Sequence, residues 1–311
     1  MRAAFARTLL ELAEEDPRVW LVVGDVGFGV VEPFRERFPD RYLNVGVAEA
    51  NLAGVSAGLA LSGALPFMYS IANFPTLRCL EQIRNDICYN GANVKIVAVG
   101  AGFAYGSLGA THHATEDVAV MRALPGMTVV APADPVETVL AIRAAHKLVG
   151  PVYLRIGRSG DPQVHLSPPE FSLGRAIRVL EGSDVTIIAT GGITHSVLTA
   201  SERLGAQGIS ARVLSMHTLK PIDRLEIKLA AEETGGVITV EEHSIVGGLG
   251  SAVAQVIVEE GLCPRRFRCL ALPDAFGHRI GSREYLLESY GLSPNAIADI
   301  VRETLRRRTS A

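Results

Sequence analysis

Four places in this 311-residue sequence hold side chains with the means to do chemistry. Glu49 lies in NVGVAEANLAGVSAGLALSG, residues 44–63, where Ala50, Ala53, Gly54, Ala57 and Gly58 recur at helical spacing. A helix so lined with small residues packs closely on a neighbour or on another subunit. A carboxylate at its start is either a cap on the free amides, favoured by the helix dipole, or a buried acid. The second place is AGFAYGSLGATHHATED, residues 101–117, with adjacent His112 and His113 followed by Glu116 and Asp117. Neighbouring histidines on a loop diverge, so a metal held there would need ligands from elsewhere. Imidazoles titrating near neutrality suit proton transfer or hydroxyl recognition, and the alternative is an ordinary surface loop. The third is Arg158 in PVYLRIGRSG, just past an expected strand end. A guanidinium there can grip a phosphate through two parallel hydrogen bonds, or it can simply be solvated. Arg155, three residues earlier inside the strand, should point elsewhere. The fourth is His243 in EEHSIVGGLGSAV, residues 241–253, where Gly247, Gly248 and Gly250 have the simpler role of shaping a strand-to-helix turn.

These residues need a scaffold, and the apolar runs supply one. VWLVV starts at Val19, KIVAV at Lys95, MTVVA at Met127 and PVYLRI at Pro151. After a break come DVTIIAT from Asp184, ISARVLSM from Ile209 and GGVITVEE from Gly235. Runs without alternation are strands buried on both faces. The stretches between them have helical length and Ala/Leu/Glu content, the pattern of parallel α/β architecture. GDPQVHLSPPE, residues 160–170, is polar, and Pro168-Pro169 discourages regular structure. The expected organisation is a first domain at 1–160, a linker at 161–181 and a smaller α/β domain at 182–311. Ligands in such sheets sit beyond the carboxyl ends of the strands. That directs attention to loops 24–29, 100–113, 131–135, 190–194 and 241–250. GDVGFG, residues 24–29, has neither dinucleotide-loop spacing nor the Lys-Ser/Thr of a P-loop.

Composition excludes several classes. The chain is 48% hydrophobic with a formal net charge of -3, and no basic face is evident, so nucleic acid is not an expected partner. Arg306, Arg307 and Arg308 read as a solvated terminus. Cys79, Cys88, Cys263 and Cys269 show no paired metal-ligand spacing; Cys79 and Cys88 stand nine apart in an expected helix. A reduced, cytoplasmic setting is the simpler reading. Glu11, Glu14, Glu15 and Asp16 interrupt any signal-peptide pattern, and no apolar run is long enough to cross a bilayer.

Several segments, in order, resemble the transketolase family, including deoxyxylulose-phosphate synthase and the beta subunits of 2-oxoacid dehydrogenases. FRERFPDRYLNVGVAEANLAG from Phe34 is similar to the stretch carrying that family's cofactor glutamate. LPFMYSIANFPTLRCLEQIRNDI from Leu65 is similar to its pyrimidine pocket, and GSLGATHHATEDVAVMRALPGMTVVAPAD from Gly106 to its histidine loop. LKPID from Leu219, VEEHSIVGGLGSAV from Val240 and LPDAFGHRIGSREYLLESYGL from Leu272 resemble its C-terminal domain. The resemblance implies a thiamine-diphosphate pyrimidine-binding domain with a parallel sheet, followed by a smaller transketolase C-terminal domain. It places Glu49 at N1′ of the aminopyrimidine, as a catalytic and cofactor-binding residue. Phe74 falls in the wall around that ring, with Ile71 and Leu77 where relatives often carry aromatics. His112 falls on a substrate-facing, catalytic histidine, Arg158 on an arginine that binds a sugar phosphate, and Asp25 near a position touching substrate or the subunit interface.

The family holds the diphosphate through magnesium, using a Gly-Asp-Gly motif with an asparagine segment further on, and this sequence contains no such pair. The resemblance therefore implies that Mg2+ and its ligands come with a separate N-terminal subunit, in an α2β2 assembly. It implies a transketolase-like transferase (EC 2.2.1.-) moving a two-carbon ketol unit from a phosphorylated ketose to an aldose, with the cofactor as electron sink. Split deoxyxylulose-phosphate synthase, 2-oxoacid dehydrogenase beta subunit and non-catalytic scaffold are the alternatives. An iron–sulfur oxidoreductase component ranks last, for want of cysteine spacing.

Overall fold

The structure is a computed structural model and describes residues 1–306. Arg307 and Arg308 of the basic terminus lie outside the described residues, while Arg306 closes the last helix, Pro294–Arg306. Twelve strands are present among the described residues: β1 Val19–Val23, β2 Tyr42–Asn44, β3 Leu65–Ile71, β4 Lys95–Val99, β5 Thr128–Val130, β6 Val152–Ile156, β7 Ile177–Leu180, β8 Val185–Ala189, β9 Ala211–Ser215, β10 Thr218–Lys220, β11 Val237–Ser244 and β12 Phe267–Leu272. They form two mixed α/β layers, a sheet ordered β10-β5-β6-β4-β3-β1-β2 and a sheet ordered β12-β11-β8-β9-β7. Every pairing is parallel except β10 with β5 and β7 with β9, both at sheet edges.

The continuous apolar runs are explained by helices on both faces. Strand side chains alternate, so Val19, Leu21 and Val23 of β1 and Phe67 and Tyr69 of β3 face one way. There they meet Phe5, Leu9 and Leu12 of the helix Arg2–Glu15 and Ala141 and Ile142 of the helix Pro135–Lys147. Val22, Met68 and Ile96 face the other way, onto Leu52, Ala53 and Ala57 of the helix Glu49–Leu61. Each fully buried Leu, Ile or Phe contributes about 1.5–3 kcal/mol. The same second cluster continues into Leu214, Met216 and Leu219, so one apolar core joins the two sheets.

Two features interlock the halves. Four residues of the expected linker, Ile177–Leu180, form β7 on the second sheet, while β10, from beyond that sheet's β9, closes the edge of the first. A buried charge network also sits between them. Arg155 Nε donates to Asp117 Oδ2 at 2.8 Å, and its Nη2 donates to the carbonyls of Ala114 and Glu242. Glu242 in turn accepts from Arg283 and from the amide of Phe103. Gly102 (φ +57°) lets this happen, because a Cβ there would lie 2.5 Å from the Glu242 side chain.

Among the described residues no helix is long and apolar enough to cross a membrane. The helix expected to carry Cys79 and Cys88 is broken instead into Phe74–Leu77, Leu80–Gln82 and a π-helical stretch Ile83–Tyr89, with Pro75 in non-helical conformation. The break ahead of Leu80 falls at Cys79, whose φ of -129° and ψ of 27° lie outside the helical region.

Candidate active site

All strands of the first sheet but β10 run the same way, so their carboxyl ends open on one edge. β2 delivers Glu49, β3 delivers Phe74, the long loop after β4 delivers His112, and β6 delivers Arg158. Two residues that sequence reasoning did not single out join these into one string of contacts. Arg78 Nη1 donates to Glu49 Oε2 at 3.1 Å, and its guanidinium lies 4.0 Å above the Phe74 ring. Phe74 meets the edge of His112 at 5.3 Å between centroids, and His112 stands 6.4 Å from Tyr105. Tyr105 carries the Arg158 guanidinium 5.0 Å from its ring. The spacing of Phe74 and Arg78, four residues apart, was the available signal for the stacking of Arg78 on Phe74.

Glu49 is the first residue of its helix, yet its side chain caps nothing. No backbone amide donates to it; Oε2 is taken by Arg78, and Oε1 is buried with no hydrogen-bond partner. The acid is only 4% exposed, so the choice between cap and buried acid falls to the buried acid. An unmet buried carboxylate oxygen costs about 1–3 kcal/mol, and a donor from outside the chain would recover it.

His112 is half-buried, and its Nδ1 lies 3.0 Å from the Thr111 hydroxyl. Burial first, then the charges of Arg78 and His113, push its pKa below the usual imidazole value. The imidazole is therefore mostly neutral at pH 7. Asn73 fixes the loop from below, donating from Nδ2 to the carbonyl of His113. Tyr105 needs Gly100 (φ +100°), since a Cβ there would lie 2.3 Å from the tyrosine ring.

The remaining residues occupy the same edge differently. Asp25 adopts φ +55°, the left-handed region that only Gly, Asn and Asp visit readily. Asn44 holds it there: its Nδ2 donates to Asp25 Oδ1 at 2.9 Å, while its Oδ1 accepts from the amides of Asp25 and Gly46. Ile71 closes β3, half-buried, and Leu77 ends the next helical turn, exposed. Arg155 points into the buried Asp117 network, away from Arg158, as its place in the strand requires. His243 is outside the site. Its Nδ1 donates to the Ser244 carbonyl and its Nε2 accepts from the Ala119 amide, while Glu241 caps the helix Leu249–Glu259 through the amides of Leu249 and Gly250. Among the described residues no group of three His, Cys, Asp or Glu could hold a metal ion.

Residues 1–161 match the model of the transketolase pyrimidine binding domain, and residues 174–297 that of the transketolase C-terminal domain. The chain belongs to the transketolase family. Among curated transketolase relatives, it is 39% identical to the 6-deoxy-6-sulfo-D-fructose transketolase subunit SqwH of Clostridium sp. (strain MSTE9), over 99% of this chain and 95% of that one. It is 40% identical to a subunit of the apulose-4-phosphate transketolase of Phocaeicola vulgatus, over 98% of this chain and 97% of that one. Identity to 1-deoxy-D-xylulose-5-phosphate synthase of Heliobacterium modesticaldum is 36% over 96% of this chain, which spans 46% of that protein. A solved structure described as a split gene transketolase, inactive beta4 tetramer, superposes with a TM-score of 0.90 at 44% identity, covering 98% of this chain and 97% of that one.

Proposed function

We propose that this chain is the beta subunit of a split transketolase: a transferase subunit that moves a two-carbon ketol unit from a ketose to an aldose, using thiamine diphosphate. The observation that carries the reading is Glu49, a buried carboxylate with one oxygen left without a partner and the other held by Arg78, whose guanidinium lies over the Phe74 ring. That arrangement fits an aminopyrimidine ring. Thiamine diphosphate supplies the nucleophilic carbon and the electron sink for cleaving a bond beside a carbonyl.

The side chains present have distinct tasks. Glu49 Oε1 holds a proton shared with the ring nitrogen of the pyrimidine, while Arg78 fixes Oε2 and so aims the free oxygen. Phe74, with Ile71 and Leu77 nearby, forms the apolar wall that keeps water from the ring. Neutral His112 accepts or donates a proton at a substrate hydroxyl, and its Thr111 contact orients the imidazole. Arg158, braced on Tyr105, binds the anionic end of the sugar. Relatives named for a sulfo sugar and a sugar phosphate agree with an anionic substrate. Asp25, held by Asn44, meets substrate or partner at the rim.

The diphosphate and its Mg2+ would be held by an N-terminal subunit, in an α2β2 complex. Support comes from relatives of matching length that are named subunits, and from a beta-only neighbour described as inactive. Exposed Phe28, Val47 and Leu77 lie close in sequence to Asp25, Glu49 and Phe74 and offer apolar surface for such a partner. The test is reconstitution with the partner chain, thiamine diphosphate and Mg2+, followed by a screen of phosphorylated and sulfonated ketose donors with an aldose acceptor. Ketol transfer by the mixture alone supports the proposal. Decarboxylation of pyruvate without ketol transfer would replace it with a synthase reading.

A further inference from the structure

Tyr105 and His112 share one lobe of chain. Gly102 and Ala114 exchange backbone hydrogen bonds of 3.1 and 3.0 Å, closing its neck, and residues 103–113 bulge beyond. Bonds inside it, such as Leu108 N to the Tyr105 carbonyl and His112 N to the Gly109 carbonyl, reach only three residues back. They shape turns but do not fix where the lobe lies. Asn73 and Arg155 reach the carbonyls of His113 and Ala114 from the first half of the chain. The second half holds the lobe at three more points. Glu242, near the carboxyl end of β11, accepts from the Phe103 amide at 2.6 Å. The Gly281 amide donates to the Gly106 carbonyl at 3.3 Å, and the Ser244 amide donates to the Thr115 carbonyl at 2.7 Å, just beyond the neck. Phe103 also stacks on Tyr290, with centroids 5.4 Å apart. The seat is close-fitting: a Cβ on Gly106 would lie 2.6 Å from Leu286 and 2.7 Å from the Gly281 carbonyl.

One ion pair ties the first two of those points together. Arg283 opens the helix Arg283–Ser289, two residues after Gly281. Its Nε and Nη2 donate to Glu242 Oε2 at 2.9 and 2.6 Å. Glu242 is only 5% exposed, and a buried carboxylate holds its charge when it is paired. Without Arg283, Glu242 would turn toward water or take up a proton, and the Phe103 amide would lose its charged acceptor. Taking this chain as the ketol-transferring subunit proposed above, we infer that Glu242 and Arg283 are positioning residues for the reaction. They seat the lobe, and the lobe sets His112 at the substrate and Tyr105 under Arg158. The pair acts through the backbone of the lobe and has no task at the substrate itself. Glu49 and Arg78 hold each other on the segments after β2 and β3, so the cofactor end stands apart from this device.

Arg283→Met keeps the apolar stem and removes the charge, and two readouts test it. In proton NMR of the full chain alone, the His112 imidazole resonance should shift or broaden, whereas that of His165, paired with Glu137 far along the chain, should stay in place. In the complex reconstituted with the partner chain, kcat for ketol transfer should fall at least about tenfold, since a misplacement of about 1 Å can cost about 10²-fold in rate. The Kd for thiamine diphosphate should stay within about twofold. Arg283→Lys returns the charge on a single donor group and should recover part of the lost rate. If Arg283→Met fails to fold, Glu242→Gln, which keeps the shape and loses the ion pair, is read by the same measurements. An unmoved His112 resonance or an unchanged kcat would overturn the proposal. So would a loss of kcat matched by an equal loss of cofactor affinity, the mark of a general loss of structure. A wild-type complex without ketol transfer would refute the function proposed above, and the His112 resonance would then decide by itself whether the pair seats the lobe.

Discussion

Glu49→Gln separates a chemical role from a structural one. The amide keeps the shape of the side chain and still offers Arg78 an acceptor, but it cannot take up or release a proton. Arg78 is half exposed and remains hydrated whether or not it has a partner. Glu49 by contrast is buried, with Oε1 unsatisfied, so removing its charge relieves a desolvated group. Stability should therefore be unchanged within about 1 kcal/mol, or higher, a shift of roughly 2–4 °C at most for a chain of this size. Positioned acid–base groups contribute about 10²–10⁴-fold to rate, so ketol transfer should fall at least about a hundredfold. The assays are a thermal melt of the chain and steady-state ketol transfer by the reconstituted complex. Activity within about threefold of wild type would refute the chemical role. A fall of many degrees in the melt would make Glu49 an ordinary structural carboxylate.

Other perturbations probe the rest of the edge. Arg78→Ala removes the charge that, after burial, does most to hold His112 down, so the His112 pKa measured by NMR should rise toward the usual imidazole value; no movement would contradict the placement. Gly100→Ala brings a Cβ within 2.3 Å of Tyr105 at a positive φ, so it should cost at least about 1 kcal/mol in a denaturant melt and raise the KM for an anionic sugar by displacing the brace under Arg158. Asp117→Ala leaves buried Arg155 without its counter-charge and should cost about 3–5 kcal/mol in the same melt. Burial pushes the Asp117 carboxyl up, but Arg155, His243 and the hydrogen bonds from Arg155 and Tyr153 outweigh it and hold the group below the usual carboxylate range. Its contribution to stability is therefore present above that range and lost as pH falls through the lowered value, a loss the alanine variant should not show in pH-resolved melts.

The buried strands were legible because a parallel strand covered on both faces leaves an unbroken β-branched run, as in VWLVV, KIVAV and VTIIA. β2 and β10 have three residues each, too few to show a period. β3 carries Pro66 near its start, which weakens a strand reading although the remaining residues are fully buried up to Ser70. That β10 crosses from the second half to the first sheet could not be read locally, because an edge pairing is a tertiary choice. In the site, Glu49, Phe74, His112 and Arg158 were named from sequence, and the structure brings them to one edge. Arg78 and Tyr105 were not, since a guanidinium stacked on a ring and a tyrosine seated on Gly100 become visible only when loops from different strands meet. The divergence of His112 and His113 was legible as a consequence of adjacency, but the seat of His113 against Phe103, itself stacked on Tyr290 of the second domain, is a tertiary contact.

The half-site reading is tested most directly by calorimetric titration with thiamine diphosphate and Mg2+, on this chain alone and mixed with a chain carrying the diphosphate-binding domain. Tight, saturable binding in the mixture, lost or strongly weakened without the partner, is the predicted result. Equally tight binding to this chain alone would contradict the division of the site between two subunits.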